Sequence, residues 1–164
     1  MNVPLTFATS LRCLKCGSTY ELGPYFRGCE KCKRNDFASN LAVDYNFDRI
    51  AKVELENVMK SARRLWDYSV LLPVPEKALQ VGLGEGGTPL LHSRKIGASM
   101  SSRNLYFKNE SANPTCSFKD RFAAVAVSMA RALGARAAVV SSTGNHGGAA
   151  AAYCAAANIP LVIS

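Results

Sequence analysis

SFKDRFAAVAVSMARALGARAAVVSSTGNHGGAAAAYCAAANIPLVIS, residues 117–164, is the stretch that decides the fold. SFKDRFAAVAVSMARALGA (117–135) has the pattern of a helix stopped near Gly134, and RAAVVSS (136–142) carries the Val and Ala run of a strand buried on both faces. GNHGGAAAAYCAAAN (144–158) is a second helix opened by glycines, and IPLVIS (159–164) is another strand. Just upstream, NLYFKNE (104–110) reads as a strand, which completes a β-α-β-α-β order. Short connections of this kind predict right-handed crossovers and an α/β fold, an open parallel sheet with helices on both faces. Ligands of such sheets bind outside the carboxyl ends of strands, so the loops 111–117 and 142–147 are where chemistry is expected.

The first loop carries NPTCSFKDR, residues 113–121. Asn113-Pro114 marks a turn out of the preceding strand, and Ser117 is expected to cap a helix beginning at Phe118. Lys119 then falls in the first helical turn, beside the positive end of the helix dipole. A neutral lysine amine there is the form that condenses with an aldehyde. A solvated lysine at a helix end is the plainer alternative. In the second loop, SSTGN is by itself a capping loop; a helix N-terminus is equally a natural site for an anion.

Further upstream the pattern changes twice. Residues 10–37 are punctuated by Cys and Gly and too poor in apolar residues to fold on a core of their own; residues 38–82 form a helical linker arm; residues 83–164 are the α/β region. In the arm, Ile50, Val53, Leu55, Val58 and Met59 recur at roughly helical spacing before VLLPVPEK breaks the helix with two prolines. Cys13-Leu-Lys-Cys16-Gly17 and Cys29-Glu-Lys-Cys32 are two CxxC turns twelve residues apart. Four thiolates on two such turns complete a tetrahedral site for Zn2+, with no open position and hence a structural role. Gly17 lets the backbone curl around the sulfurs, and the metal supplies folding free energy that the segment lacks. Disulfides, free thiols and an iron site are the alternatives. Cys154, inside the Ala-rich helix, is expected to be a small buried residue.

Twenty basic and twelve acidic residues give a net charge of +8, with eight basic and two acidic groups beyond Gly87. With no arginine-rich run and no interleaving of aromatic and basic residues, this charge points to a small anionic substrate and not to nucleic acid. The start, MNVPLTFATSLR, has no apolar core of secretory length, and the uncharged run 147–164 is too rich in Ala and Gly for a membrane span. A cytoplasmic location, with no membrane partner, is expected. Self-association into a homo-oligomer is compatible with the sequence.

NPTCSFKDR resembles the lysine motif of threonine synthases within the fold-type-II pyridoxal-phosphate enzymes, usually written NPTGSFKDR. SSTGNHGGAAAAYCA (141–155) resembles the asparagine loop of the same family. LGEGGTPLL (83–91) and RLWDYSVLLPV (64–74) are also similar to its sequences, in the same order. The resemblance implies pyridoxal 5'-phosphate held as a Schiff base on Lys119, which also moves protons as acid and base. Phe118 is expected near the cofactor ring, and Asn145 on the ring's 3'-oxygen. Ser142, Thr143 and His146 are expected to grip the substrate carboxylate. The implied reaction converts O-phospho-L-homoserine and water to L-threonine and phosphate. A zinc ribbon ahead of this fold also occurs in some threonine-synthase-like proteins.

Three positions depart from the pattern. Cys116 stands where the family has Gly, so a backbone needing positive φ would be strained. Phe122 stands where a Gly is common, and His146 where threonine synthases have Thr. Gly-Asn-His-Gly is more typical of serine and threonine dehydratases and of diamino acid ammonia-lyases, which makes such a lyase the first alternative. A non-catalytic zinc-ribbon binding module is the second. The glycine-rich loop for the cofactor phosphate and the partner of the pyridine nitrogen are not among these residues, and the α/β region is expected to be truncated.

Overall fold

The first strands come together because the chain reverses at the first cysteine pair. β1 (Ala8–Cys13) lies between β2 (Thr19–Tyr20) and β3 (Leu41–Tyr45) in an antiparallel sheet, with Leu11 opposite Tyr20 on one side and Val43 on the other. Gly17 makes the reversal at φ +71°, and its N–H donates to the carbonyl of Cys13 at 3.0 Å. The sheet therefore continues past residue 37, where composition had put the end of the cysteine segment, because the apolar run of β3 pairs with β1. The computed structural model describes residues 6–25, 27–34, 37–49 and 52–164.

The arm is α1 (Lys52–Ser61) followed by 3-10 turns over Leu65–Leu71. Asp67 starts the second piece by accepting from the N–H groups of Arg63 at 2.7 Å and Arg64 at 2.8 Å, which holds its carboxyl below the usual range. Of the apolar series expected to form a stripe, Ile50 and the side chain of Val53 lie outside the described residues. Leu55 and Val58 are half-buried, and Met59 is exposed. Phe7, buried, ties the small sheet to the arm: its N–H donates to the carbonyl of Val70 and its carbonyl accepts from Asn46, both at 2.9 Å.

Beyond the arm come β4 (Leu90–His92), α2 (Arg94–Ser99) and β5 (Tyr106–Lys108). The strand expected at 104–110 is present, but it pairs antiparallel with β4, Leu91 facing Phe107, and not parallel with the strand that follows it. Next are α3 (Lys119–Ala132), β6 (Ala138–Val140), α4 (Asn145–Ala156) and β7 (Leu161–Ile163). β6 and β7 are parallel, Val139 beside Val162, with α4 as the crossover. Both helices and the second strand fall where their periodicity put them.

The core sits between α3 and α4. Ala123, Ala124 and Val127 of one helix meet Ala149, Tyr153 and Cys154 of the other, with Val81 and Ile159 closing the cluster. Small side chains on both contact faces let the helix axes approach, and Tyr153 fills the remaining space. Ser128 fastens the incoming segment: its hydroxyl donates to Ala124 O at 2.6 Å and accepts from Val81 N at 2.8 Å. Among the described residues the β6–β7 pair is covered on one face only. Val139 is 75% exposed, so the expectation that residues 136–142 are buried on both faces does not hold here. No described helix is long and apolar enough to cross a membrane; the uncharged run 147–164 is divided between α4 and β7.

Candidate active site and cysteine cluster

Lys119 is the first residue of α3, one position later than the sequence suggests, with Phe118 at the N-cap position. Ser117 keeps a capping role from one residue further back, its hydroxyl accepting from Lys119 N at 3.2 Å. Asp120, adjacent to the lysine, is fully buried and turned the other way. One carboxylate oxygen accepts from Thr115 N at 2.7 Å and the other from the Thr115 hydroxyl. No carboxylate among the described residues pairs with the Lys119 ammonium. Its Nζ stands 4.5 Å from the ring centroid of Phe118, which is itself exposed. Between Thr115 and the helix, Cys116 adopts φ +58°. The strain expected of a non-glycine residue at this place is therefore present, and the bonds from Asp120 to Thr115 help hold it.

At the other helix start, Ser142 accepts from Gly144 N at 3.3 Å and from Gly147 N at 3.0 Å. An α-helix begins with four N–H groups that lack intrahelical partners. Ser142 takes two of those on α4, which leaves the N–H groups of Asn145 and His146. Thr143 and the Asn145 side chain are exposed, and the Asn145 amide has no partner among the described residues. The His146 ring packs on Phe122, centroids 5.3 Å apart and tilted 37°. Phe122 lies one turn beyond Lys119 on α3, so this contact brings the two helix starts to the same end of the core. Two of the three positions that depart from the family's motifs, Phe122 and His146, are thus in contact with each other.

A polar network ties the glycine segment to the lysine loop. Arg121 grips Glu110 with both arms of its guanidinium, Nε at 2.7 Å and Nη2 at 2.9 Å. The Thr88 hydroxyl donates to Glu110 at 2.6 Å, and the Asn113 side chain donates to it at 3.0 Å while accepting from Gly86 N at 2.9 Å. Arg121, chiefly, holds the Glu110 carboxyl down to about 2. Gly86 has φ +92°, and a Cβ there would lie 2.8 Å from Leu65 N, so the segment accepts no side chain where it crosses the arm. Beside it Glu85, buried, accepts from the Tyr153 hydroxyl at 2.7 Å and from Leu83 N at 2.9 Å; its Oε1 has no partner among the described residues. Burial, and then this bond, push the Tyr153 phenol up.

In the N-terminal sheet region, Cys13, Cys16, Cys29 and Cys32 gather with their sulfurs within 4.8 Å of one another. None is in a disulfide. Sγ of Cys16 is 3.6 Å from that of Cys29, and Cys13 is 3.8 Å from Cys32. Without a cation, close-packed thiols cannot all ionise. The Cys13 thiol is lowered to about 5, first by the Ser39 hydroxyl and then by the Cys16 amide, while Cys32 is pushed up to about 12, first by its bond to Cys16. A divalent cation removes that conflict, and four soft sulfurs at this spacing suit zinc.

Several residues of these sites carry no sequence signal. Tyr20, Ser18 and Ser39 bond the sulfurs from outside the CxxC turns, and Glu85 reaches Tyr153 across 68 residues. The Glu110–Arg121 pair lies closer, but only the fold of the loop turns the two toward each other.

The model of the pyridoxal-phosphate dependent enzyme family matches residues 81–164. A protein named threonine synthase from Methanosarcina acetivorans is 37% identical over 93% of this chain and 36% of its own length. One of the same name from Methanocaldococcus jannaschii is 39% identical over 88% of this chain and 34% of its own length. A third, from Halalkalibacterium halodurans, is 41% identical over 60% of this chain and 28% of its own length. The chain spans about a third of the length of the curated relatives it matches.

Proposed function

The chain belongs to the family of pyridoxal-phosphate dependent enzymes, and on that premise we propose that the protein converts O-phospho-L-homoserine and water to L-threonine and phosphate. The observation that carries this reading is the convergence of the two motif loops through the Phe122–His146 contact, with the Lys119 amine free of any described ion pair. The relatives named threonine synthase, 37–41% identical, support the choice of reaction.

The residues present fit the cofactor: an amine with no ion pair among the described residues opens α3, and an exposed carboxamide with no partner among them opens α4. Lys119 would hold the cofactor through Nζ, Asn145 would donate to the ring oxygen and fix its orientation, and Phe118 would flank the ring. Bound there, pyridoxal phosphate supplies an electron sink for bond changes at the substrate's Cα and Cβ. Lys119 Nζ takes and returns the protons. The N–H groups of Asn145 and His146, with the Thr143 hydroxyl, receive the substrate carboxylate, and Ser142 holds that loop in shape and offers its own O–H. The second reading, a serine or threonine dehydratase or diamino acid ammonia-lyase, is favoured by the identity of residue 146, a histidine in Gly-Asn-His-Gly where threonine synthases have Thr.

Zinc held by Cys13, Cys16, Cys29 and Cys32 is the structural metal of this proposal, in a ribbon followed by the arm and then by the catalytic region. Unoxidised cysteines in such a cluster suit a reducing compartment, the cytoplasm. Borohydride reduction of the complete protein loaded with cofactor, then peptide mapping, should place the pyridoxyl group on Lys119. Phosphate release from phosphohomoserine in excess of ammonia release from serine or threonine supports the synthase. The reverse ratio supports the second reading, and label on Lys108 or on no lysine sinks both.

A further inference from the structure

The two CxxC turns do not treat their sulfurs alike. In the first, backbone amides point at the leading cysteine: Lys15 N donates to Cys13 Sγ at 3.3 Å and Cys16 N at 3.4 Å. Ser39 adds its hydroxyl at 3.3 Å. In the second turn the residue equivalent to Lys15 is Lys31, and its N–H goes elsewhere. It donates to the Tyr20 hydroxyl at 3.5 Å, and the same hydroxyl stands 3.0 Å from Cys29 Sγ, closer than any donor on Cys13. No backbone amide among the described residues donates to Cys29 Sγ.

A thiolate on a metal has no proton to give, so a hydroxyl beside it must be the donor. With the Lys31 amide on its lone pair, the Tyr20 hydroxyl is polarised toward the sulfur. Tyr20 comes from β2 and not from either turn. Its place is fixed by pairing with Leu11 of β1 and by its ring against Tyr25, centroids 5.1 Å apart.

Resting on the four-cysteine metal site proposed above, we infer that Tyr20 is a positioning residue of that site: its hydroxyl relays to Cys29 Sγ the hydrogen bond that backbone amides give directly to Cys13 Sγ. Four thiolates around a divalent cation leave two negative charges, and outer hydrogen bonds spread that charge and fix the direction of each ligand. Removing the relay leaves Cys29 Sγ with no hydroxyl or backbone donor among the described residues, while Cys13 Sγ keeps all of its own.

The test uses the complete protein loaded with zinc, and in parallel with cobalt(II), as wild type, Tyr20→Phe and Tyr25→Phe. The phenylalanine at 20 keeps the ring contact and loses only the hydroxyl. Tyr20→Phe is expected to bind one metal per chain but to lose affinity about 10- to 100-fold in chelator competition. Its sulfur-to-cobalt charge-transfer band should move to longer wavelength, because a thiolate without a donor gives up electron density more readily. A role confined to packing would not move that band. Tyr25→Phe should match wild type in both readouts. Tyr20→Phe with unchanged affinity and an unshifted band overturns the relay while leaving the four-cysteine site standing. Wild-type protein without stoichiometric metal overturns the site and the relay together. If Tyr20→Phe does not fold, the cadmium-loaded wild type decides the matter: a slowly exchanging Tyr20 hydroxyl proton coupled to cadmium is expected, and its absence overturns the relay.

Discussion

Cys116 pays for its place in the lysine loop with a left-handed backbone, φ +58°. Such a conformation costs a non-glycine residue about 1–2 kcal/mol, part of which glycine would give back through its freer unfolded chain. Cys116→Gly should therefore stabilise the protein by about 0.5–1 kcal/mol, read from the denaturant midpoint; an unchanged or lower midpoint would show that the thiol makes compensating contacts. His146 leans on Phe122 beside the two N–H groups that Ser142 leaves free. His146→Thr should change the ratio of phosphohomoserine turnover to serine or threonine turnover by more than about tenfold, roughly 1.4 kcal/mol of differential transition-state binding. An unchanged ratio in steady-state kinetics would reduce His146 to a capping residue. At this scale the sequence is informative where a short motif also starts a helix, as around Lys119. It was silent on Tyr20, because nothing in the chain between residues 20 and 29 says that a sheet register will bring that hydroxyl to that sulfur.

The helices α3 and α4 were legible because their spacing of small apolar residues has one solution, two helices packed on that face. The strands were less so: alternation identifies a strand but not its partner, and β5 found β4 instead of β6. How much of a strand is covered is likewise a property of neighbours, which is why Val139 escaped the expectation of burial. The start of α4 depends on one hydroxyl serving two amides, and Ser142→Ala should cost about 1 kcal/mol in denaturant unfolding. The Glu110–Arg121 fork joins the start of α3 to the segment before it. Because Arg121 holds the Glu110 carboxyl at about 2, the fork contributes stability that is full above the ordinary carboxylate range and is lost as pH falls toward about 2. Glu110→Gln should therefore be less stable than wild type by ~1–3 kcal/mol near neutral pH, with the gap closing in acid. A gap independent of pH in urea titrations would mean that the ion pair contributes nothing.

Across the whole molecule, the cysteine sheet and the α3–α4 core are separate packing units joined through the arm. Cys13→Ser in the complete protein should abolish stoichiometric zinc and speed hydrogen exchange over residues 8–45, while borohydride labelling of Lys119 persists; loss of both together would mean that the units fold as one. Composition and motif order propose a division into a cysteine segment, an arm and an α/β region, and the family match covers residues 81–164. The seam was not readable, since Phe7 and Val70 meet through backbone groups that every sequence possesses. That seam also sets an order of events on the ribosome. β1, β2 and β3 have all their partners once Tyr45 has emerged, whereas Phe7 must wait for Val70, and α3 for α4. At about 5–20 residues per second, the nascent chain closes its set of four sulfurs seconds before α3 has α4 to pack against.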